Sequence, residues 1–130
     1  MKIAKAWEEE GVRVPKPFAR TIKVLFAPDR QGVDELTFTI ALIEPDGQTD
    51  LHSHDRPELI YVVSGIGVSA CNGETSEVRD DTVLLVEAGE KHQIRNSGRG
   101  ILKLATVFVP GYTAKRLVAG IMSAAEAAQG

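Results

Sequence analysis

Asp46-Gly47-Gln48-Thr49-Asp50-Leu51-His52-Ser53-His54-Asp55-Arg56-Pro57-Glu58-Leu59-Ile60-Tyr61-Val62-Val63-Ser64-Gly65 is the stretch on which the fold turns. Pro45-Asp46-Gly47 opens it as a turn, and Gln48–His54 reads as a short strand. Asp55-Arg56-Pro57 turns the chain again, into Glu58–Ser64, the most strand-like run of all, which Gly65 closes. Side chains at i and i+2 of a strand project from one face, so His52 and His54 can reach one point. Glu58 comes back beside them after a tight turn.

Outward from this stretch the chain is short segments between turn signals. Thr21–Phe26 is a β-branched and apolar run. Glu35–Ile43 alternates, with Leu36, Phe38, Ile40 and Leu42 on one face and Thr37 and Thr39 on the other. Gly67–Cys71 runs into Asn72-Gly73, a strong hairpin signal, and Glu74–Arg79 returns. Thr82–Val86, Lys91–Arg95 and Ile101–Val109 follow, each set off by Asp, Asn, Ser or Gly turns. Many short strands at regular spacing predict an all-β sandwich or barrel. The tail differs: Thr113–Gln129 is Ala-rich, and Leu117, Val118, Ile121, Met122 and Ala125 form one helical stripe. Trp7 to Glu10 reads as one helical turn, with Glu8–Glu10 on a solvated face.

The 130 residues suit one domain with a real core. Hydrophobic residues make up 43% and charged residues 25%, too apolar for disorder. Fifteen Lys and Arg against eighteen Asp and Glu give a net charge of −3, so nothing favours nucleic acid or a membrane surface as partner. No apolar stretch is long enough to span a bilayer, and the N-terminal residues do not resemble a secretion signal. Cys71 is the one cysteine, which excludes an internal disulfide and a thiolate metal cluster and fits a reducing, cytoplasmic location.

His92, the third and last histidine, opens a later strand after another Gly turn. In a closed barrel His52, His54, Glu58 and His92 would meet from neighbouring strands. A lone histidine at such a position is most simply a hydrogen-bonded core residue. Adding Glu58 and His92 shifts the balance, because burying two imidazoles and a carboxylate together without a metal or full hydrogen bonding is costly. The nitrogen and oxygen donors suit a borderline divalent ion, and four of them leave one or two positions open for chemistry.

These stretches resemble the two motifs of the cupin family. Asp46–Gly65 is similar to G-x5-H-x-H-x3,4-E-x6-G, with His52, His54, Glu58 and Gly65 on its positions. Asp81–Asn96 is similar to G-x5-P-x-G-x2-H-x3-N, with Gly89, His92 and Asn96 on its positions. Asp46 and Asp81 stand at opening glycines and Glu87 at the proline; these are turn positions, and Asp tolerates the left-handed conformation. The resemblance, to small single-domain cupins, implies a jelly-roll barrel. With the segments above, it predicts one domain over residues 1–130: an N-terminal extension (1–20), a barrel (21–109) and a C-terminal helix (113–129). It implies that His52, His54, Glu58 and His92 hold one divalent transition metal ion (Fe, Mn, Ni, Zn or Cu). Asn96 would be structural.

The implied activity is metal-dependent chemistry on a small organic molecule, of dioxygenase, decarboxylase, isomerase or lyase type. No further catalytic residue stands out. Apart from Glu58 the interior reads apolar, with Ile60, Val62, Phe38, Ile40, Leu102, Leu104 and Phe108 as core, which favours oxygenation at the metal. The alternatives are a non-catalytic module that binds or senses a small ligand, and a metal that only ties the barrel together. Tyr61 reads as packing, Cys71 as a buried small side chain, and Arg56 as a solvated loop residue or one reaching an anionic substrate. The resemblance also suggests a homodimer, with Phe18–Phe26 adding a strand to a partner's sheet.

Overall fold

A computed structural model describes residues 1–129. Nine strands follow in order: β1 (Val12–Val14), β2 (Arg20–Phe26), β3 (Thr37–Ile43), β4 (Glu58–Ser64), β5 (Ile66–Cys71), β6 (Glu74–Arg79), β7 (Val83–Val86), β8 (His92–Asn96) and β9 (Leu102–Phe108). A helix, α1 (Ala114–Gln129), ends the described chain. A six-stranded sheet runs β1-β2-β3-β9-β4-β7, and a three-stranded sheet runs β6-β5-β8, all pairs antiparallel. The core draws on both sheets, with Ile43, Val62 and Leu102 from the larger and Val78 and Ile94 from the smaller, all nearly inaccessible. This is the all-β roll with a C-terminal helix expected above.

The turn chemistry behaves as its residues dictate. Asp46 and Asp81, at motif positions usually held by glycine, adopt φ of 65° and 67°. Asn72 and Gly73, at φ 50° and 82°, make the hairpin between β5 and β6. Gly65 has φ 112°, and a Cβ there would stand 2.8 Å from the Ile101 carbonyl oxygen, so only glycine lets β4 pass β9 so closely. Asn96 is buried at the end of β8. Its amide nitrogen donates to the carbonyls of Ile43 (2.9 Å) and Gly100 (2.8 Å), and its oxygen accepts from Gly98 N–H (2.9 Å).

Two expectations are corrected. The first is the facing of β3. Thr37, Thr39, Ala41 and Ile43 point inward, while Phe38 and Leu42 are half-buried on the outer face, where Ile40 is buried as expected although it does not face the cavity. Register against β9 sets this: Thr39 faces Thr106, Ala41 faces Leu104 and Ile43 faces Leu102, and paired residues share a face. Buried threonines cost little because each hydroxyl finds a partner. Thr39 and Thr106 hydrogen-bond each other at 2.6 Å, and Thr37 Oγ1 bonds both backbone groups of Tyr112. The second is Gln48–His54, which is an irregular run rather than a strand, with isolated bridges at Gln48–Arg95 and His52–His92. Between them the side chains of Thr49 and Gln93 take over ladder bonds, Thr49 Oγ1 accepting from Ile94 N–H and Gln93 Nε2 donating to Thr49 O.

The α1 stripe packs as predicted: Leu117, Val118, Ile121 and Met122 lie against the core and Ala125 is buried. Its first turn is tied to the β2–β3 loop, where the Asp29 carboxylate accepts from the N–H groups of Ala114 and Lys115. The Ala114 bond leads in holding the Asp29 carboxyl below its ordinary range. The helical turn near the N-terminus is a 3-10 turn over Ala6–Glu8. β2 lies between β1 and β3, with Arg20 to Ile22 paired on both sides. The sheet's outer strands are β1 and β7, so the expected strand addition by Phe18–Phe26 has no free edge along that half.

Asn96 generates a stability prediction. Asn96→Leu leaves two carbonyls and one N–H without a partner and should cost about 3 kcal/mol in chemical denaturation. A loss below about 0.5 kcal/mol would contradict its structural role.

Candidate metal centre

The irregular run delivers His52 and His54, β4 opens on Glu58 and β8 opens on His92. The backbones of His52 and His92 exchange two hydrogen bonds, His52 N–H to His92 O (3.1 Å) and His92 N–H to His52 O (2.9 Å). That pair brings the two rings to 4.4 Å between centroids; His54 is 4.6 Å from His52 and 5.5 Å from His92. One nitrogen from each ring and one Glu58 oxygen all lie within 4.8 Å of one another. The structure thus brings together all four residues expected at the site, close enough to share one ion.

The donor chemistry fits a divalent metal. His52 Nδ1 lies 2.6 Å from the Asp50 carbonyl oxygen, and His92 Nδ1 lies 3.0 Å from that of Glu90. A carbonyl can only accept, so both rings carry a proton on Nδ1 and present Nε2 for coordination. Glu58 Oε1 stands 3.0 Å from His92 Nε2 and 3.6 Å from His54 Nε2. Glu58 and His92 are buried and the other two half-buried, as a site fixed in the wall and open toward a cavity requires.

Burial leads in holding the His54 imidazole down to about 4, with Glu58 opposing and the neighbouring rings assisting. Burial also opposes charge on His92, but the Glu58 hydrogen bond and the Glu90 carbonyl outweigh it, and its net shift is upward.

The cluster opens on a cavity of about 390 Å³ between the sheets, closed on one side by Leu117, Gly120 and Ile121 of α1. Ile60 lines it as expected, with Ile94, Leu104 and Phe108. The expectation of an otherwise apolar interior is overturned. Arg20, Thr39, Asp50, Thr106 and Tyr112 also line the cavity. Asp50 lies 3.8 Å from Arg20 and 3.7 Å from His52 Nδ1. Thr39 was hidden by assigning β3 the wrong inner face, and Arg20 by ending the extension one residue before the apolar run; Thr106 shares the inward face of β9 with Leu102, Leu104 and Phe108, where the aliphatic residues masked it. Tyr112 follows a Pro-Gly turn that carries no site signal. Its hydroxyl donates to Asp55, and its ring packs on His54 and Phe108.

Three side chains differ from expectation. Arg56 is neither solvated nor aimed at the cavity: it donates to the carbonyls of Pro110 and Gly111 and lies 3.7 Å over the Tyr112 ring. Tyr61 is exposed on the outer face, with its hydroxyl donating to Asp81. Cys71 is half-buried, and burial first, then Glu90, raises its thiol pKa.

The depressed imidazole predicts acid sensitivity in chelator-treated protein. His54 holds fewer protons folded than unfolded, so its contribution to stability is present above pH 6.5 and is lost as pH falls toward 4. His92 works in the opposite sense, contributing below pH 6.5 and losing that as pH rises through its folded value. Wild type should therefore lose about 3 kcal/mol relative to His54→Gln between pH 7 and pH 4 in parallel urea titrations. A constant difference would contradict the buried neutral ring.

The cupin-domain family profile matches residues 39–108. L-ectoine synthases from two strains of Aliivibrio fischeri are each 26% identical over 102 residues, 78% of this chain and 77% of theirs. The oxalate-binding protein of Thermotoga maritima is 29% identical over 68 residues, 52% of this chain and 56% of that one. A solved structure from Thermotoga maritima, described as a predicted oxalate decarboxylase, shares the fold with a TM-score of 0.76 at 21% identity, over 84% of this chain and 99% of that one. No helix among the described residues is long and apolar enough to cross a membrane. With more than half of its length and all four clustered residues inside the profile match, the chain belongs to the cupin family.

Proposed function

We propose that the protein is a divalent-metal-dependent enzyme acting on a small organic molecule held in the cavity between its sheets. The observation that carries this is the convergence of His52, His54, Glu58 and His92 within 4.8 Å at the wall of a cavity of about 390 Å³. A bound ion would supply Lewis-acid polarisation of a ligand oxygen or nitrogen. The rest falls to the chain. The Asp50 and Glu90 carbonyls fix the faces that His52 and His92 present. Leu117 and Ile121 of α1, with Ile60, Ile94 and Phe108, exclude water around the ligand. Asp50 offers a carboxylate inside the cavity that can take a proton from it.

That polar lining removes the ground for preferring oxygenation, and the reading supported best is non-oxidative: a lyase, isomerase or decarboxylase reaction with side-chain assistance. The names of the ectoine synthase and oxalate-binding relatives refer to small organic compounds, which agrees.

Protein purified without added metal should carry about one divalent transition ion per chain by elemental analysis. His52→Ala and His92→Ala should each weaken metal retention more than about tenfold, a cost reached even by losing an outer partner of a ligand. Metal content unchanged by both substitutions would overturn the assignment. Bound metal and ligand without turnover would mark a binding module.

A further inference from the structure

Arg20 is a cation inside the barrel. It opens β2, faces the cavity, and its side chain is 3% exposed. Nη1 donates to the carbonyls of Phe18 (3.0 Å) and Gln48 (3.4 Å), which fastens two loops. Nη2 stands 3.8 Å from Asp50 Oδ1, too far for a hydrogen bond, and Nε makes none among the described residues. No buried side-chain nitrogen or oxygen among these residues is sealed away without a partner, so the unbonded Nε and Nη2 keep accessible surface, on a residue that lines the cavity. A staple between loops needs Nη1 alone. It does not need a buried guanidinium whose other edge faces the cavity with no hydrogen bond, paired only with the Asp50 carboxylate at 3.8 Å.

We propose that Arg20 is the carboxylate-binding residue of this cavity, and that the ligand is a short-chain organic acid. One end of the acid reaches the histidine cluster, its carboxylate lies against Nε and Nη2, and the paired hydroxyls of Thr39 and Thr106 line the same space. The guanidinium edge matches a carboxylate with two parallel hydrogen bonds. The proposal rests on the metal reading above, because charge decides when an acid can enter. The cavity lining carries two guanidiniums, Arg20 and Arg116, against the three carboxylates of Asp50, Asp55 and Glu58. The side chains alone fall one charge short of neutral, and a divalent ion turns that into an excess of one positive charge. Acid binding therefore follows metal loading.

The test uses imidazol-1-yl acetic, propanoic and butanoic acids beside their three amides. Each acid and amide pair keeps one imidazole nitrogen for the metal and differs only in the carboxylate. Calorimetry on metal-loaded protein of measured metal content should find at least one acid binding about tenfold tighter than its amide. Arg20→Met should erase that preference while the metal content stays. Should Arg20→Met not fold, Arg20→Lys, which keeps the charge but loses the paired donors, should lower the preference at least about threefold. Equal binding of acid and amide at every length, or a preference unchanged in the folded Arg20 variant, would overturn this proposal and leave the metal reading standing. A chain that takes up no metal would overturn both.

Discussion

The two backbone hydrogen bonds exchanged by His52 and His92 are the constraint on which the site depends. They fasten an irregular loop to the first residue of β8 and put two imidazoles within 4.4 Å. The larger sheet then supplies Glu58 at the start of β4, opposite Phe108 of β9 and Val86 of β7. The loop's backbone bonds to β8 are irregularly spaced, as from Thr49 N–H to Ile94 O, and the side chains of Thr49 and Gln93 add the bonds a regular ladder would have made. A regular strand would have left the Asp50 carbonyl in the ladder. Here it turns back to accept the His52 Nδ1 proton, and one local irregularity fixes both position and tautomer.

The same interior holds the core and the candidate site. Ile43, Val62 and Leu102 are sealed, while Thr39, Thr106 and Arg20 keep polar atoms at the cavity. Satisfied hydroxyl pairs let threonine replace aliphatic residues at low cost. The helix contributes at both levels: its apolar stripe covers core residues, and its Leu117 and Ile121 finish the cavity wall. Asp29 caps that helix from the β2–β3 loop, which ties the helical wall of the cavity to the larger sheet.

The four clustered residues were legible because their spacing is short and their chemistry rare: two histidines two apart, a carboxylate after one tight turn, and a third histidine after a glycine turn. Turn residues were equally plain, and the positive φ of Asp46, Asn72 and Asp81 follows from side chains that tolerate it. What failed was facing. Alternation in Glu35–Ile43 reveals two faces but not which one looks inward, and hydrophobicity chose Phe38 and Ile40 over Thr37 and Thr39. Only pairing with β9, more than sixty residues away, decides it. Arg20 and Tyr112 escaped for a similar reason, since each gains meaning from partners remote in sequence.

The central claim, that three imidazoles and one carboxylate converge on one ion, is tested most directly by X-ray absorption spectroscopy of the metal-loaded protein. The account predicts nitrogen and oxygen neighbours at about 2.0–2.2 Å and the multiple-scattering signature of three imidazoles. Loss of Cys71 should leave the spectrum unchanged. A sulfur neighbour, or a first shell with no imidazole in it, would contradict the account.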